Sequence, residues 1–171
     1  MPILGITGLP GAGKTLFAVR AMYRLRQRRP RRWIVSNFPL YLPGMPVEMV
    51  DCIDDCYELS ECDLVLDELH LWLSNRDWQK HSGGVGAWLS QLRKRDVNLW
   101  YTTQDIGSVD KFVRDRTFLT YYLESFKLLG FFWWRCFFGT KADHKKRCNS
   151  GWYLFSETIA RCYQTEYIVK L

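Results

Sequence analysis

The chain has 171 residues, of which 47% are hydrophobic and 16% aromatic, enough apolar material for one compact domain with a sizeable core. Its 24 lysines and arginines exceed its 18 aspartates and glutamates, and the net charge of +6 favours an anionic partner such as nucleic acid or a phospholipid surface. The most apolar stretch, "LLGFFWWRCFFG" at residues 128–139, is too short to cross a bilayer and contains Arg135, which excludes a transmembrane helix there. The composition therefore predicts a single domain over residues 1–171.

The first predicted elements are a short apolar strand, Ile3 to Thr7, and a helix from Lys14 to about Arg29. The turn between them fits the pattern GxxxxGK[ST] with Gly8, Gly13, Lys14 and Thr15. Glycines let successive amide hydrogens point inward, the helix N-terminus adds its dipole, the lysine reaches the β and γ phosphates, and the threonine hydroxyl ligates Mg²⁺. A turn that merely joined strand to helix would need neither lysine nor threonine. The pattern therefore predicts a nucleotide site whose binding residues are Gly8, Leu9, Pro10, Gly11, Ala12, Gly13, Lys14, Thr15 and Leu16.

The second and third predicted strands are "WIVSNF", residues 33–38, and "DLVLDE", residues 63–68, with a proline-rich loop between them. Asp67 follows the apolar part of the third strand, where it can hold Mg²⁺ through water. Glu68 comes next, in the position to polarise an attacking water. The alternative interpretation is a surface acidic pair that ends a strand.

A helix from Val85 to about Lys94 is followed by two more predicted strands, "VNLWYTTQ" at residues 97–104 and "TFLTYYLE" at residues 117–124. Strands that alternate with helices predict an α/β fold with a mainly parallel sheet flanked by helices. Gln104 ends the fourth strand, where its amide can contact both the γ phosphate and the water; a strand-end cap is the alternative. Since no NKxD element for reading a base is present, ATP is favoured over GTP.

The end of the chain differs from the core, which is expected to cover about residues 1–125. Residues 126–171 predict two aromatic strands around a basic polar loop, forming a hairpin or extension, and then a tail that packs back onto the domain. The six cysteines show no CxxC spacing and are expected to be free thiols in a reducing cytoplasm. A zinc site at Cys136, His144 and Cys148 is the alternative, but it lacks a fourth ligand.

Two basic segments have both structural and functional interpretations. "RLRQRRPRR", residues 24–32, either complements the dipole at a helix end or contacts the phosphates of DNA or of anionic lipid. "LRKRD", residues 92–96, contains Arg93 and Arg95; Arg95 is our candidate for an arginine finger that reaches into the site of a neighbouring subunit. Arg76, Arg114 and Arg116 are alternatives, and plain surface ion pairing accounts for most of these residues.

Five segments in one order resemble the Zot-like family, whose best-known members are the assembly ATPases of filamentous bacteriophages. They are "ITGLPGAGKTL", "IVSNFPLYLP", "DLVLDELHLWLSNRDW", "WLSQLRKRDVNLWYTTQDIGSVDKFVR" and "ARCYQTE", and they span about residues 3–167. The phosphate loop is common to many NTPases. The acidic pair followed by NRxW, then "RKR", "TQD" and "VD", is more specific to the family.

The resemblance implies a P-loop ATPase that uses ATP and Mg²⁺ in the assembly and export of a single-stranded DNA virion at the host inner membrane. It implies that Lys14, Thr15, Asp67 and Glu68 carry nucleotide binding and hydrolysis and that Gln104 is the sensor. The expected partners are further copies of the chain in a ring, phage DNA or a DNA–protein complex, and phage coat or assembly proteins. The expected location is the host cytoplasm or the cytoplasmic face of the inner membrane. Phage-type members usually continue into a membrane span, so the chain is expected to be either a short member or the cytoplasmic part of a longer protein.

Three other functions are compatible with a phosphate loop. A genome-packaging ATPase would move DNA into a capsid, and lack of a membrane span would favour it. A small-molecule kinase would need a second-substrate pocket and a lid, which the sequence does not reveal, and would leave Glu68 and Gln104 without a joint role. A non-hydrolysing module would use nucleotide only to stabilise its fold and would dock a partner through the aromatic hairpin.

Overall fold

The computed structural model describes the backbone of residues 2–73, 78–128, 131–140, 148–154 and 156–164, and the side chains of residues 2–73, 84–125 and 156–164. Within these ranges the strands form one eight-stranded sheet in the order β3-β2-β4-β5-β1-β6-β7-β8. Their bounds are β1 Ile3–Gly8, β2 Trp33–Ser36, β3 Glu48–Met49, β4 Cys62–Leu66, β5 Asn98–Thr103, β6 Thr117–Leu128, β7 Phe131–Thr140 and β8 Cys148–Leu154.

The six strands from β3 to β6 in the sheet order run parallel, and β7 and β8 add to them in antiparallel fashion. This confirms the predicted α/β architecture with a mainly parallel sheet and a C-terminal β extension. The pairing of β6 with β7 runs from Leu119↔Thr140 to Leu128↔Phe131, so the division expected near residue 125 falls inside one strand. The role of the aromatic side chains at residues 128–139 lies outside the described side chains and stays a prediction.

Helices cover both faces of the sheet. Their bounds are α1 Lys14–Arg28, α2 Trp78–Gln91, α3 Lys111–Arg116 and α4 Glu157–Ala160, with short 3₁₀ turns at Asp54–Cys56, Leu69–Leu71 and Ile106–Ser108. Helix α2 begins seven residues before its predicted start. The sequence did not predict this first part because "WQKHSGG" contains two glycines and no helical spacing of apolar residues. The six-residue α3 is too short to show a helical period in the sequence. No helix among the described residues has the length and apolarity needed to span a membrane.

Two hydrophobic cores lie on opposite faces of the sheet because side chains alternate along each strand. On β4, Val65 points into one core, while Leu64 and Leu66 point into the other. The Val65 core contains the apolar side of α1 and residues of α4 and the turn after it, and its members include Ile6, Val19, Met22, Ile34, Leu123 and Ile159. The opposite core is built on α2 and α3, and its members include Leu99, Tyr101, Trp88, Leu89 and Val113.

The described part of the C-terminal tail, residues 156–164, packs back onto the domain, as the sequence predicted. Ile159 and Cys162 are buried in the α1 core, and the Tyr41 amide donates to the Cys162 carbonyl oxygen at 2.7 Å. Cys52, Cys56, Cys62 and Cys162 are free thiols, and burial raises the pKa of both Cys56 and Cys62 to about 12. The side chains of Cys136, His144 and Cys148 lie outside the described residues.

Candidate nucleotide-binding and hydrolysis site

The predicted phosphate loop joins the carboxyl end of β1 to the amino end of α1. Gly13 precedes the helix with φ +79, a left-handed conformation that glycine adopts without the steric cost of a Cβ. At Gly8, a Cβ atom would lie 2.5 Å from the Leu123 carbonyl oxygen of β6. Glycine at these two positions therefore lets the loop turn into the helix and lie directly against the neighbouring strand.

Lys14 folds back over this loop. Its Nζ donates to the carbonyl oxygens of Gly8 and Leu9 at 3.1 and 3.3 Å, and the side chain is buried. It also lies 3.9 Å from Glu68 Oε1. Charge-assisted bonds to phosphate oxygens are stronger than bonds to neutral carbonyls, so a phosphate in the loop is the better partner for this ammonium group.

Thr15 and Asp67 come from different elements and meet at the end of β4. The Thr15 hydroxyl lies 3.0 Å from each carboxylate oxygen of Asp67, and the Thr102 hydroxyl donates to Asp67 Oδ1 at 2.6 Å. Burial raises the pKa of Asp67, while the hydrogen bonds from Thr102 and Thr15 oppose this rise. A hydroxyl and a carboxylate side by side are the hard oxygen donors that suit Mg²⁺, so this pair fits the predicted metal site.

Asn37 is a site residue that the sequence analysis missed. It is buried just after β2, donates from Nδ2 to the Asp67 carbonyl oxygen at 3.0 Å, and accepts from the Asp67 amide at 2.7 Å. This reciprocal pair fixes the backbone at the end of β4. The signal was a polar residue at the carboxyl end of a buried strand, the same signal that identified Asp67.

Glu68 occupies a left-handed backbone conformation, with φ +49 and ψ +48. For a residue with a Cβ this costs about 1–2 kcal/mol, and the hydrogen bond from the Glu68 amide to the Thr102 hydroxyl at 2.9 Å helps to hold it. Its carboxylate lies between two cationic or donor groups, with Oε1 near Lys14 and Oε2 3.2 Å from His70 Nδ1. Thr102 therefore serves both acidic residues and is a second residue that the sequence analysis missed.

His70 links Glu68 to the end of β5. Its Nδ1 lies 3.3 Å from the Thr103 hydroxyl, and this hydroxyl donates its own hydrogen bond to the Asp105 carbonyl oxygen at 2.9 Å. In the tautomer or imidazolium form that carries a hydrogen on Nδ1, this hydrogen lies within reach of both the Thr103 hydroxyl oxygen and Glu68 Oε2. Among the described residues, Glu68 Oε2 is buried without an aligned hydrogen bond, and His70 Nδ1 lies against it at 3.2 Å.

Gln104 follows β5 and lies across a cavity from the phosphate loop. The Gln104 carbonyl oxygen accepts from the Thr7 hydroxyl at 3.2 Å, which ties this strand end to β1. The cavity has a volume of about 610 Å³, within the usual range for small-molecule sites. It is lined by loop residues Gly8 to Pro10, by residues 104–106, and by residues 122–125 of β6. The structure thus brings Gln104 to the loop, and its sensor role stays a prediction.

Arg95 lies near the amino end of β5, at the opposite end of the strand from Gln104. It precedes β5, whose six residues separate it from Gln104 by about 20 Å. Its guanidinium donates to the Tyr57 carbonyl oxygen at 2.5 Å and lies 3.6 Å from Glu58. The structure therefore does not bring Arg95 to the site of its own chain, and a role in a neighbouring subunit stays a prediction. Arg114 is nearer the site edge, donating to the Gly107 carbonyl oxygen at 3.4 Å.

Solved structures of other proteins share this fold. The N-terminal domain of zonular occludens toxin from Neisseria meningitidis is 18% identical, with a TM-score of 0.64 over 95% of this chain and 98% of that one. The genome packaging NTPase B204 from Sulfolobus turreted icosahedral virus 2, in complex with ATP-gammaS, is 11% identical, with a TM-score of 0.59 over 89% and 96% of the two chains. The flagellar accessory protein FlaH from Methanocaldococcus jannaschii is 10% identical, with a TM-score of 0.56 over 89% and 84%. At these identities the likeness is one of fold.

The sequence itself matches a family model. No curated protein sequence gives a match. The model described as zonular occludens toxin (Zot) matches residues 49–147, a segment that includes Asp67, Glu68, His70 and Gln104. Because this match covers more than half of the chain, the protein belongs to the Zot family.

Proposed function

We propose that this protein is an ATP-hydrolysing motor for the assembly and extrusion of a filamentous, single-stranded DNA phage virion. The observation that carries hydrolysis is the convergence of Lys14, Thr15, Asp67 and Glu68 at the carboxyl edge of the sheet, beside a cavity of about 610 Å³. Membership of the Zot family supports the phage role. In this proposal the motor is a homo-oligomer at the cytoplasmic face of the inner membrane, and it meets phage DNA and coat or assembly proteins there.

The residues divide the chemistry between them. The loop amides and Lys14 bind the β and γ phosphates, and Thr15 and Asp67 hold Mg²⁺, which when bound neutralises phosphate charge. Glu68 orients a water and accepts its proton as the water oxygen forms a bond to the γ phosphorus. The bond from that phosphorus to the bridging oxygen breaks, and ADP leaves with the electron pair. Gln104, on the cavity wall that faces the loop, would contact the γ phosphate and the water.

The test is the separation of ATP binding from ATP turnover in Glu68→Gln. The amide keeps the size of the side chain but cannot accept the proton, so phosphate release should fall by 10²-fold or more while a fluorescent ATP analogue still binds. Glu157→Gln is the matched control, because Glu157 is exposed and pairs only with Arg161 among the described residues. Phosphate release by Glu68→Gln at the wild-type rate would refute the proposed mechanism.

A second candidate function is packaging of DNA into a capsid, favoured by the fold likeness to the packaging NTPase B204 over 89% of this chain. Stimulation of ATP turnover by DNA distinguishes the two. Greater stimulation by single strands supports extrusion, and greater stimulation by duplex supports packaging.

A further inference from the structure

Helix α1 carries a stripe in which apolar and basic rows run side by side. Phe17, Ala21 and Leu25 form one row at four-residue spacing, and Arg20, Arg24 and Arg28 form the other. Residues four apart lie on the same helix face and are about 6 Å apart along the axis. The helix contains no aspartate or glutamate, so neither row meets an acidic neighbour from its own element.

The stripe forms one wall of a groove, and the sheet forms the other. The groove has a volume of about 290 Å³, and its sheet side consists of Trp100 on β5 and Tyr121 on β6. These two partly exposed rings stack with their planes 8° apart and their centroids 6.3 Å apart. The Phe17 ring lies 5.2 Å from the Tyr121 ring. A row of arginines therefore runs along a floor of aromatic rings.

Structural roles account for Arg26 and Arg32 in this region but not for Arg24. Arg26 is buried and donates to the Pro30 carbonyl oxygen, and Arg32 pairs with Asp63 and Asp96. Arg24 and Arg28 are exposed, and neither has an ion-pair partner among the described residues. The helix dipole acts within the last turn, which holds Arg26 and Arg28, so it does not explain Arg24.

We infer that this groove binds single-stranded nucleic acid, with the arginine row on the phosphates and Trp100 and Tyr121 against the bases. Positive charge along a groove combined with aromatic platforms is the arrangement that holds unpaired strands. A duplex keeps its base faces inside the stack, and a lipid surface offers no ring to stack on. The basic row extends to Arg28, about 20 Å from Lys14 along α1, and the residues that line the groove lie outside the phosphate loop at residues 8–15.

The inference goes beyond the proposed function, because it requires neither ATP nor hydrolysis. Binding is therefore measured without nucleotide, as the fluorescence anisotropy of a labelled 20-nucleotide oligo-dT with the whole chain. A protein that binds the oligonucleotide but releases no phosphate would refute the motor and leave the groove intact. A protein that hydrolyses ATP but does not bind the oligonucleotide would refute the groove and leave the motor intact.

The decisive comparison is between two double variants of equal charge change. Arg24→Ala/Arg28→Ala removes two groove cations, whereas Arg29→Ala/Arg31→Ala removes two exposed arginines outside it. We expect the groove variant to bind at least ten-fold more weakly, with the salt dependence of log K reduced by about 1.4, or 0.7 for each lost phosphate contact. We expect less than a three-fold change in the control. Equal weakening in both variants would overturn the inference.

Base stacking is tested on the unaltered protein, so that folding of a variant does not enter. An abasic 20-mer carries the same phosphates as oligo-dT but no bases, and it should bind at least five-fold more weakly if the rings stack on bases. Equal affinity for the two oligomers, or tighter binding of duplex than of oligo-dT, would overturn the inference. It would also be overturned if phosphatidylglycerol vesicles displaced all of the oligo-dT at a lower charge concentration than unlabelled oligo-dT does.

Discussion

At the scale of single residues, hydroxyl and imidazole groups beside Asp67 and Glu68 set the geometry of the site. Thr102 donates to Asp67 and accepts from the Glu68 amide, so one side chain orients both acids. His70 stands on the other side of Glu68 and is itself held by Thr103. We therefore expect substitutions of Thr102 or His70, which lie outside the phosphate-loop pattern, to slow ATP turnover although neither residue contacts the phosphates.

The first prediction at this scale concerns His70. In His70→Leu, Glu68 loses the imidazole nitrogen that lies 3.2 Å from Oε2 and orients the carboxylate, and kcat should fall about ten-fold, the equivalent of ~1.4 kcal/mol, with KM for ATP unchanged. His70→Asn places an amide near the position of Nδ1 and should recover most of that loss. Steady-state kinetics measure both. A rise in KM with unchanged kcat would instead assign His70 to nucleotide binding.

The second prediction follows from the raised pKa of Asp67, which burial causes. A carboxyl group whose pKa is higher in the folded than in the unfolded chain favours folding when protonated. Its contribution is fully present below the unfolded value of about 3.9 and is lost as pH rises through the folded pKa. Asp67→Asn, which carries no charge, should therefore unfold at higher urea concentration than wild type at pH 7 without Mg²⁺. The difference should shrink towards pH 4, and ATP turnover should be lost. Lower stability of Asp67→Asn at pH 7 would contradict this account.

At the scale of elements, the site lies at the carboxyl ends of neighbouring strands. β4 supplies Asp67 and Glu68, and its two neighbours, β2 and β5, supply Asn37 and Thr102. The phosphate loop and the acidic pair could be predicted because each is local in the sequence and follows an apolar strand. Thr102 and His70 could not, because their roles depend on which strands are neighbours, and that order is set by packing across the whole sheet. Asn37 carries the same local signal as Asp67, but its bonding to Asp67 also depends on that order.

The prediction at this scale concerns the contact between the loop and β6. In Gly8→Ala the added methyl would lie 2.5 Å from the Leu123 carbonyl oxygen, so loop and strand must separate. We expect the free energy of unfolding to fall by about 1–3 kcal/mol and ATP binding to weaken. Gly86→Ala is the control: among the described residues outside its own helix backbone, its new methyl first meets Phe112 Cδ1 at 4.0 Å, and in helix α2 it should raise stability by about 0.5–1 kcal/mol. Urea unfolding and nucleotide titration measure both effects, and an unchanged Gly8→Ala would contradict the assigned contact.

At the scale of the whole molecule, residues 156–164 complete the core that carries α1. Ile159 is 7% exposed and packs in the same cluster as Val19 and Met22. Ile159→Ala should therefore lower the free energy of unfolding by about 2 kcal/mol or more, whereas Thr158→Ala, at the exposed neighbouring position, should change it by less than ~0.5 kcal/mol. Equal effects of the two substitutions would show that the tail is not part of the core in solution.

The pairing of β1 also sets the order in which a newly made chain can become functional. β1 holds the phosphate loop, yet its two sheet neighbours are β5 and β6, and Gly8 pairs with Leu123, more than a hundred residues further along the chain. Contacts between such distant segments form late, because a long loop must close first. A nascent chain on the ribosome therefore carries the nucleotide-binding motif from its first residues but lacks a finished site until β6 has emerged.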